Sequence, residues 1–298
     1  MFIDIHVHTR RTPGFPRVTG DKMTYATPDQ LMAAYDEMGI ERGVLLPGVC
    51  PECNCVPQCN EDSLELAKAY NGRFIPFCNI DPRNINNSWR APLDKMILYY
   101  KERGCKGVGE VTANIPILDP MVQNLFRCAE IADMPVTVHL SPYVGHAYGL
   151  VDDSGLPQLE ETLKRFPKLK IFGHSQTFWA EMSTINTIED RFGYPKGPVT
   201  EGAVPRLMRQ YPNLYGDLSA GSGCNALTRD PEYAVKFLTE FQDRLFFGTD
   251  VAQPTMPTLR GLATFLKDLL AKGAISQTVF NKIARENAIR VLGLDSAL

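Results

Sequence analysis

Eight short apolar runs, each followed by a segment of helical period, set the strongest limit on what this chain can fold into. They lie at Phe2–His8, Gly43–Leu46, Phe74–Ile80, Lys106–Val111, Val136–His139, Lys170–Gly173, Leu214–Leu218 and Leu245–Thr249. The runs are continuous rather than alternating, which is the pattern of parallel strands buried on both faces. The intervening segments carry helix punctuation. PDQLMAAYDEMG has Pro28 in its first turn and stops on Gly39, and NEDSLELAKAYNG offers Asn60 as cap and Gly72 as stop. DPMVQNLFRCAEIADM, PQLEETLKRFP, PEYAVKFLTEFQ and PTLRGLATFLKDLLAKG repeat this grammar, and SQTVFNKIARENAIRVLG reads as two closing helices.

Strict strand–helix alternation means a parallel sheet with right-handed crossovers. Eight units fit closure into a (β/α)8 TIM barrel better than an open doubly wound sheet, and no glycine-rich phosphate loop follows any strand. The 298 residues suit one such barrel, typically about 250 residues long. With no linker and no repeat, one domain over 1–298 is the simplest organisation. The polar, poorly periodic stretch 179–204 reads as an insertion beside the active site.

Charge narrows the partners. The net charge is −3 with no run of five like charges, so neither nucleic acid nor an anionic membrane is expected. No apolar run approaches the roughly 20 residues of a membrane span. MFIDIHVHTRR lacks the basic and apolar regions of a secretory signal. A cytoplasmic protein acting on a small molecule is the expectation. Cys50, Cys53, Cys55 and Cys59 crowd into CPECNCVPQC, but their 2-1-3 intervening spacing is tighter than paired zinc knuckles, so thiols in the loop after the second strand are expected.

The chemistry is carried by where the histidines fall. Four of the five sit at or just past a strand's C-terminal end: His6 and His8 on the first strand, His139 on the fifth, His174 after the sixth. Asp250 ends the eighth, in FFGTD. In a (β/α)8 barrel those ends open into one shared mouth, where active sites are built. Any one of these histidines alone would read as a satisfied core residue. Together they read as a divalent metal site, with Zn²⁺ favoured and Mn²⁺, Fe²⁺ or Co²⁺ open. His6 and His8, two apart, leave one face of the strand, while Val7 turns outward. Asp250 suits both ligation and proton transfer. His174 suits a second ion or acid–base work. Glu110, in KGVGEV, either bridges two ions or orients a histidine from behind. Gly107 and Gly109 beside it leave room for a ligand or a neighbouring segment. Arg10 and Arg11 are candidates for a substrate carboxylate, and Tyr143, His146, Phe178 and Trp179 for substrate contact.

FIDIHVH, TVHLSP, FGHSQ and FGTDVAQP, in that order, resemble the amidohydrolase superfamily. More narrowly they resemble the amidohydrolase-related branch that includes aminocarboxymuconate-semialdehyde decarboxylase. The likeness runs from Phe2 to ENAIRVLGL. It implies His6, His8, His139 and Asp250 as metal ligands, with His174 as ligand or acid–base residue. The superfamily's binuclear hydrolases often carry a carboxylated lysine where this chain has Glu110, so one ion or two stays open. The resemblance also makes a homodimer an expectation.

Hydrolysis of a C–N or C–O bond in a small amide or lactone is the leading expectation. The alternative is non-hydrolytic decarboxylation of an aromatic or unsaturated acid, with Arg10, Tyr143, Phe178 and Trp179 framing the substrate. A barrel that has lost activity and serves as a scaffold is the third reading.

Overall fold

The computed structural model describes residues 1–12, 14–15, 24–53, 57–185, 187–253 and 260–295. The strands are β1 (Phe2–Val7), β2 (Ile40–Leu45), β3 (Phe74–Pro76), β4 (Val108–Val111), β5 (Val136–Ser141), β6 (Leu150–Val151), β7 (Ile171–His174), β8 (Leu214–Asp217) and β9 (Leu245–Phe246). All eight expected runs hold a strand. The addition is β6, two residues in the loop after β5, too short to leave a periodic signal in the sequence.

Among the described residues the strands named above pair in parallel, in the orders β1-β2-β3 and β4-β5-β7-β8-β9, with β6 on β5. Backbone contacts join the two sheets at both seams. Cys78 bridges Val108, and the Gly109 N–H donates to the Cys78 carbonyl at 2.8 Å. On the other side Val7 bridges Val251, and the Ile5 N–H donates to Phe247 at 3.0 Å. The chain is a (β/α)8 barrel.

Helix ends follow the expected chemistry with two exceptions. Thr27 and Gln30 form a capping box ahead of the helix Pro28–Met38, which stops at Gly39 with φ +73°. Asn60 does not cap the next helix. It is that helix's first residue, with Cys59 at the cap, and its side chain pairs with Asn79 on the strand side instead. The C-terminal segment runs without a break from Gln277 to Leu292 through a π turn at Lys282–Glu286, so the two expected closing helices are continuous. Within 179–204 the helix Ile188–Phe192 and an antiparallel bridge from Ser183 to Glu201 give the polar stretch local order. Among the described residues no helix is long and apolar enough to cross a membrane.

Two apolar clusters sandwich the strands. The larger lies between strands and helices, and Val7 belongs to it. The smaller joins Ile3, Ile5, Val44, Ile75, Phe172, Tyr215 and Phe246 across the barrel to Ala288 and Leu292. An irregularity in the β1–β2 register between Asp4 and Val7 breaks strict alternation, which lets Ile5 join the inner cluster while His6 faces the mouth.

Asp4 latches the β1–β9 seam. Its buried carboxylate accepts from the Thr249 N–H (2.9 Å), the Thr249 hydroxyl, the His6 N–H (3.0 Å) and the Tyr35 hydroxyl (2.7 Å). Burial pushes its pKa up to about 6 against those four donors. Tyr35→Phe removes one donor to a buried carboxylate, and the expected cost is about 1.5–3 kcal/mol. A urea midpoint lowered at constant slope is the expected readout, and an unchanged midpoint would show that the latch does not hold the seam.

Candidate metal centre

The barrel brings together the strand-end residues that the sequence places there. His139 and His174 are direct register partners on β5 and β7. His6 and His8 come from β1, Glu110 from β4, and Asp250 follows β9 with its N–H on the His6 carbonyl at 2.8 Å. Asp250 adopts φ +55°, a conformation Asp tolerates better than most residues. The glycines near Glu110 make room for neighbouring chain. A Cβ on Gly107 would sit 2.3 Å from the Phe77 ring, and one on Gly109 2.6 Å from the Thr137 carbonyl.

Hydrogen bonds define which nitrogens face the centre. His6 Nδ1 lies 2.6 Å from Asp217 Oδ2 and His8 Nδ1 lies 2.8 Å from the Leu46 carbonyl. A carbonyl only accepts, so His8 donates from Nδ1 and its Nε2 carries the lone pair. When His6 donates to Asp217, its Nε2 does the same. The two Nε2 atoms are 3.0 Å apart. Two lone pairs held at that distance need a cation between them, either a proton or a metal ion. Each ring is anchored through its far nitrogen, the arrangement found behind metal-ligating histidines.

Carboxylates complete the set. Glu110 Oε2 is 3.6 Å from both His6 Nε2 and His8 Nε2, while its Oε1 is 2.7 Å from His139 Nδ1 and 3.9 Å from His174 Nε2. Asp250 Oδ1 is 3.5 Å from His6 Nε2 and 3.3 Å from His8 Nε2, and its Oδ2 is 3.7 Å from His174 Nε2. These gaps suit donor atoms each about 2.0–2.2 Å from a shared ion. Three groups close enough to hold an ion overlap here: His6, His8, Glu110; His6, His174, Asp250; and Glu110, His139, His174. Imidazole nitrogen with carboxylate oxygen is a donor set that fits Zn²⁺ or a similar divalent ion.

Electrostatics agree. Burial opposes charge on His6, yet Asp217, Asp250 and Glu110 outweigh it and hold His6 well above the ordinary histidine range. Burial would raise Glu110 and Asp250, but the facing histidines, His6 foremost, hold both well below the usual carboxylate range. Burial lowers His139, favouring the neutral form a ligand needs.

Three supporting residues escape the sequence reading. Asp217 is buried, 2.6 Å from His6 and 3.5 Å from His174 Nδ1. Ser219 lies 3.1 Å from the same His174 nitrogen. Tyr148 packs its ring on His139 at 4.5 Å. Asp217 had a visible signal, a carboxylate at the end of LYGD on the seventh run. Ser219 and Tyr148 lie beyond strand ends and carry none.

The centre opens into a cleft of about 150 Å³ lined by His8, Tyr25, Cys53, Glu110, Tyr148 and Asp250 among others. Arg10 reaches it indirectly: it is buried with its guanidinium 4.3 Å from the Tyr25 ring. His146 is exposed on the outer part of the cleft, beside Asn114, Gln176 and Phe192. Tyr143 lies just behind, its ring 5.6 Å from Phe192 and its carbonyl accepting from Asn114.

Trp179 is a correction. It lies 2% exposed in the wall, packed on Phe178 and Phe237, and its indole N–H donates to the Asp217 carbonyl at 2.8 Å. It positions Asp217 rather than touching the cleft, and Phe178 beside it is equally buried. Arg11 pairs with Glu65 on the surface at 2.7 Å.

The cysteine segment divides. Cys50 is buried, its thiol pushed up to about 12 by burial, with Asp81 adding to the shift. Cys53 faces the cleft, Cys59 is exposed, and Cys55 lies outside the described residues. Cys50, Glu52 and Asp81 stand close together, but Arg83 spans both carboxylates at 2.6 Å each and supplies the positive charge there.

Two outcomes are expected. Asp217→Asn weakens zinc binding about 10–100-fold in chelator competition with the fold intact, and unchanged affinity would remove Asp217 from the support of the site. Because three carboxylates hold a proton on His6 above the ordinary range, zinc must displace it, so affinity rises with pH through neutrality. Calorimetry in buffers of different ionisation enthalpy reads that proton, and no buffer dependence would refute the competition.

Comparison with known proteins places this geometry. The family profile described as Amidohydrolase matches residues 3–294. No curated protein sequence matches the chain. Among solved structures, a zinc-bound amidohydrolase from Burkholderia multivorans superposes with TM-score 0.64 at 16% identity, covering 99% of this chain and 100% of that one. A probable 2-pyrone-4,6-dicarboxylic acid hydrolase from Acinetobacter baumannii gives 0.59 at 15% identity over 98% and 99%. A 2,6-dihydroxybenzoate decarboxylase gives 0.58 at 14% identity over 98% of each chain. At these identities the structures share the fold, while the profile spans nearly the whole sequence: the chain belongs to the amidohydrolase family.

Proposed function

We propose that the protein is a hydrolase that opens a C–O or C–N bond of a small lactone or amide at a centre for two divalent ions, zinc foremost. The observation that carries this reading is the two-sided placement of Glu110, with Oε2 toward the His6–His8 pair and Oε1 toward His139 and His174. A carboxylate serving one ion from behind would have one oxygen committed to a histidine and the other turned away. Here both oxygens face ligand nitrogens. His6, His8 and Asp250 would hold one ion, His139 and His174 the other, and Glu110 would face both.

Bound there, a divalent ion supplies Lewis acidity, polarising the substrate carbonyl and acidifying water. The remaining work falls to this chain's side chains. Asp250, with its side chain 25% exposed, reaches the cleft and takes the proton from the attacking water at Oδ. As the water oxygen bonds to the carbonyl carbon and the ring C–O or amide C–N bond breaks, Asp250 returns that proton to the leaving oxygen or nitrogen. Asp217 and Leu46 keep the His6 and His8 rings aimed, and Trp179 holds Asp217 in turn. Tyr25 and Tyr148 give the cleft its aromatic walls.

A metal count tests this reading together with a small substrate panel. Protein purified without chelator is expected to carry about two equivalents and to hydrolyse lactones; Glu110→Ala is expected to retain about one or fewer and to lose turnover. About one equivalent in both proteins, with CO₂ released from a hydroxybenzoate and no lactone opened, would replace the hydrolase reading with decarboxylation.

A further inference from the structure

A second recess lies on the outer wall of the barrel. An open groove of about 570 Å³ runs along the helix Pro120–Ile131, between the segment that leads into the helix Leu93–Glu102 and the end of the helix Pro157–Arg165. It shares no lining residue with the metal cleft. Its apolar surface comes from Trp89, Leu118, Pro120 and Phe166, and its charged lining residues are all arginines: Arg90, Arg127 and Arg165. Trp89 is 54% exposed, unusual for the largest apolar side chain when nothing covers it.

Two of the three arginines are held by neutral oxygens. Arg127 donates to Asn124 Oδ1 at 2.7 Å, and Arg165 donates to Gln123 Oε1 at 2.8 Å. Asn124 and Gln123 are both buried, and their own amide N–H groups are fixed. Asn124 donates to the Ala91 carbonyl at 2.9 Å, and Gln123 donates to the Ile117 carbonyl and Thr162 hydroxyl at 3.0 Å each. The Arg90 guanidinium lies 4.3 Å from the Trp89 ring centre. Arg165 has one exposed carboxylate, Glu161 at 3.4 Å. Among the described residues, no carboxylate pairs with Arg90 or Arg127. Two guanidiniums therefore stand without an ion pair beside an exposed indole; the near carboxylate, Asp94, is 4.0 Å from Cys128 Sγ, which Arg127 contacts at 3.3 Å. An amide oxygen orients a guanidinium without cancelling its charge, so the groove keeps a positive field.

We propose that this groove binds a small amphipathic carboxylate. The carboxylate meets Arg90 and Arg127, whose planar donor forks match it, and an aromatic or aliphatic body of one or two rings lies on Trp89, Leu118 and Phe166. The volume is that of a small-molecule site. A neutral analogue of the same shape gains the apolar contact and forfeits the ionic one. The site is independent of the metal chemistry, and failure of either proposal leaves the other standing.

Calorimetry with 2-naphthoate and the uncharged 2-naphthamide on the metal-loaded full chain tests this. Naphthoate is expected to saturate one site, with the amide about tenfold weaker. Arg127→Gln and Arg90→Gln, both on the surface, are each expected to weaken naphthoate several-fold, while Glu110→Ala leaves its affinity unchanged. Naphthoate is also expected to shift Trp89 emission, a response absent in Trp89→Phe. Equal affinity for acid and amide would overturn the proposal. So would loss of binding in Glu110→Ala with normal binding in Arg127→Gln, since that places the ligand in the metal cleft. Absence of saturable binding at millimolar naphthoate, or a dimer in solution that shields Trp89 from acrylamide, would overturn it as well.

Discussion

Three carboxylates, Asp217, Glu110 and Asp250, surround the buried imidazole of His6 at 2.6, 3.6 and 3.5 Å. Much else in the molecule follows from that crowding. Negative charge taken out of water must be matched, because an unpaired buried ion costs several kcal/mol even after relaxation. A proton on His6 matches only part of it. The second imidazole, His8, stands 3.0 Å away with its lone pair turned inward, where a further proton would put two like charges side by side. Divalent cations satisfy this set without that conflict. The centre is thus built around charge that the protein does not itself neutralise.

Holding such a centre requires a frame that does not relax. The barrel supplies it by bringing the ends of β1, β4, β5 and β7 to one mouth, and by closing the β1–β9 seam through the Asp4 latch. Asp4 and His6 are adjacent links in one chain of contacts, since the Asp4 carboxylate accepts the His6 N–H and the Asp250 N–H meets the His6 carbonyl. A slip of the seam would move Asp250 relative to both histidines of β1. Trp179 closes the other flank by fixing the Asp217 carbonyl from the wall. The residues behind the site are therefore tied to the residues that hold the barrel together, and stability and chemistry draw on the same contacts.

The parts of this arrangement legible in the sequence are those that follow from strand ends. A barrel makes a residue's position at the C-terminal end of a strand equivalent to a position at the mouth, so His6, His8, His139, His174, Glu110 and Asp250 can be placed together before any coordinates exist. Asp217 obeys the same rule, but it lies inside the run Leu214–Leu218 with no histidine or motif beside it, so the sequence alone gives it no role. Trp179 illustrates the opposite failure. An aromatic just past a ligand histidine suggests a substrate wall, but the short helix Gln176–Ala180 turns its indole back into the core. Asn60 failed as a cap because its tertiary partner, Asn79, lies nineteen residues away and outcompetes the local backbone. Side-chain direction and long-range pairing are tertiary facts, and the residue type alone does not encode them.

The same distinction bears on which reaction the barrel supports. The fold is shared with a neighbour named a probable hydrolase and a neighbour named a decarboxylase, so the fold does not separate the two. On the hydrolase reading proposed above, the informative feature is that the β4 carboxylate of Glu110 has one oxygen toward the His6–His8 pair and the other toward His139 and His174. Beside Glu110, Gly107 and Gly109 let β4 lie against Phe77 and Thr137, closer than a strand with Cβ atoms at those positions allows. Two glycines with no chemistry of their own thus help set where the carboxylate stands, because a side chain at either would collide with the neighbouring Phe77 ring or Thr137 backbone.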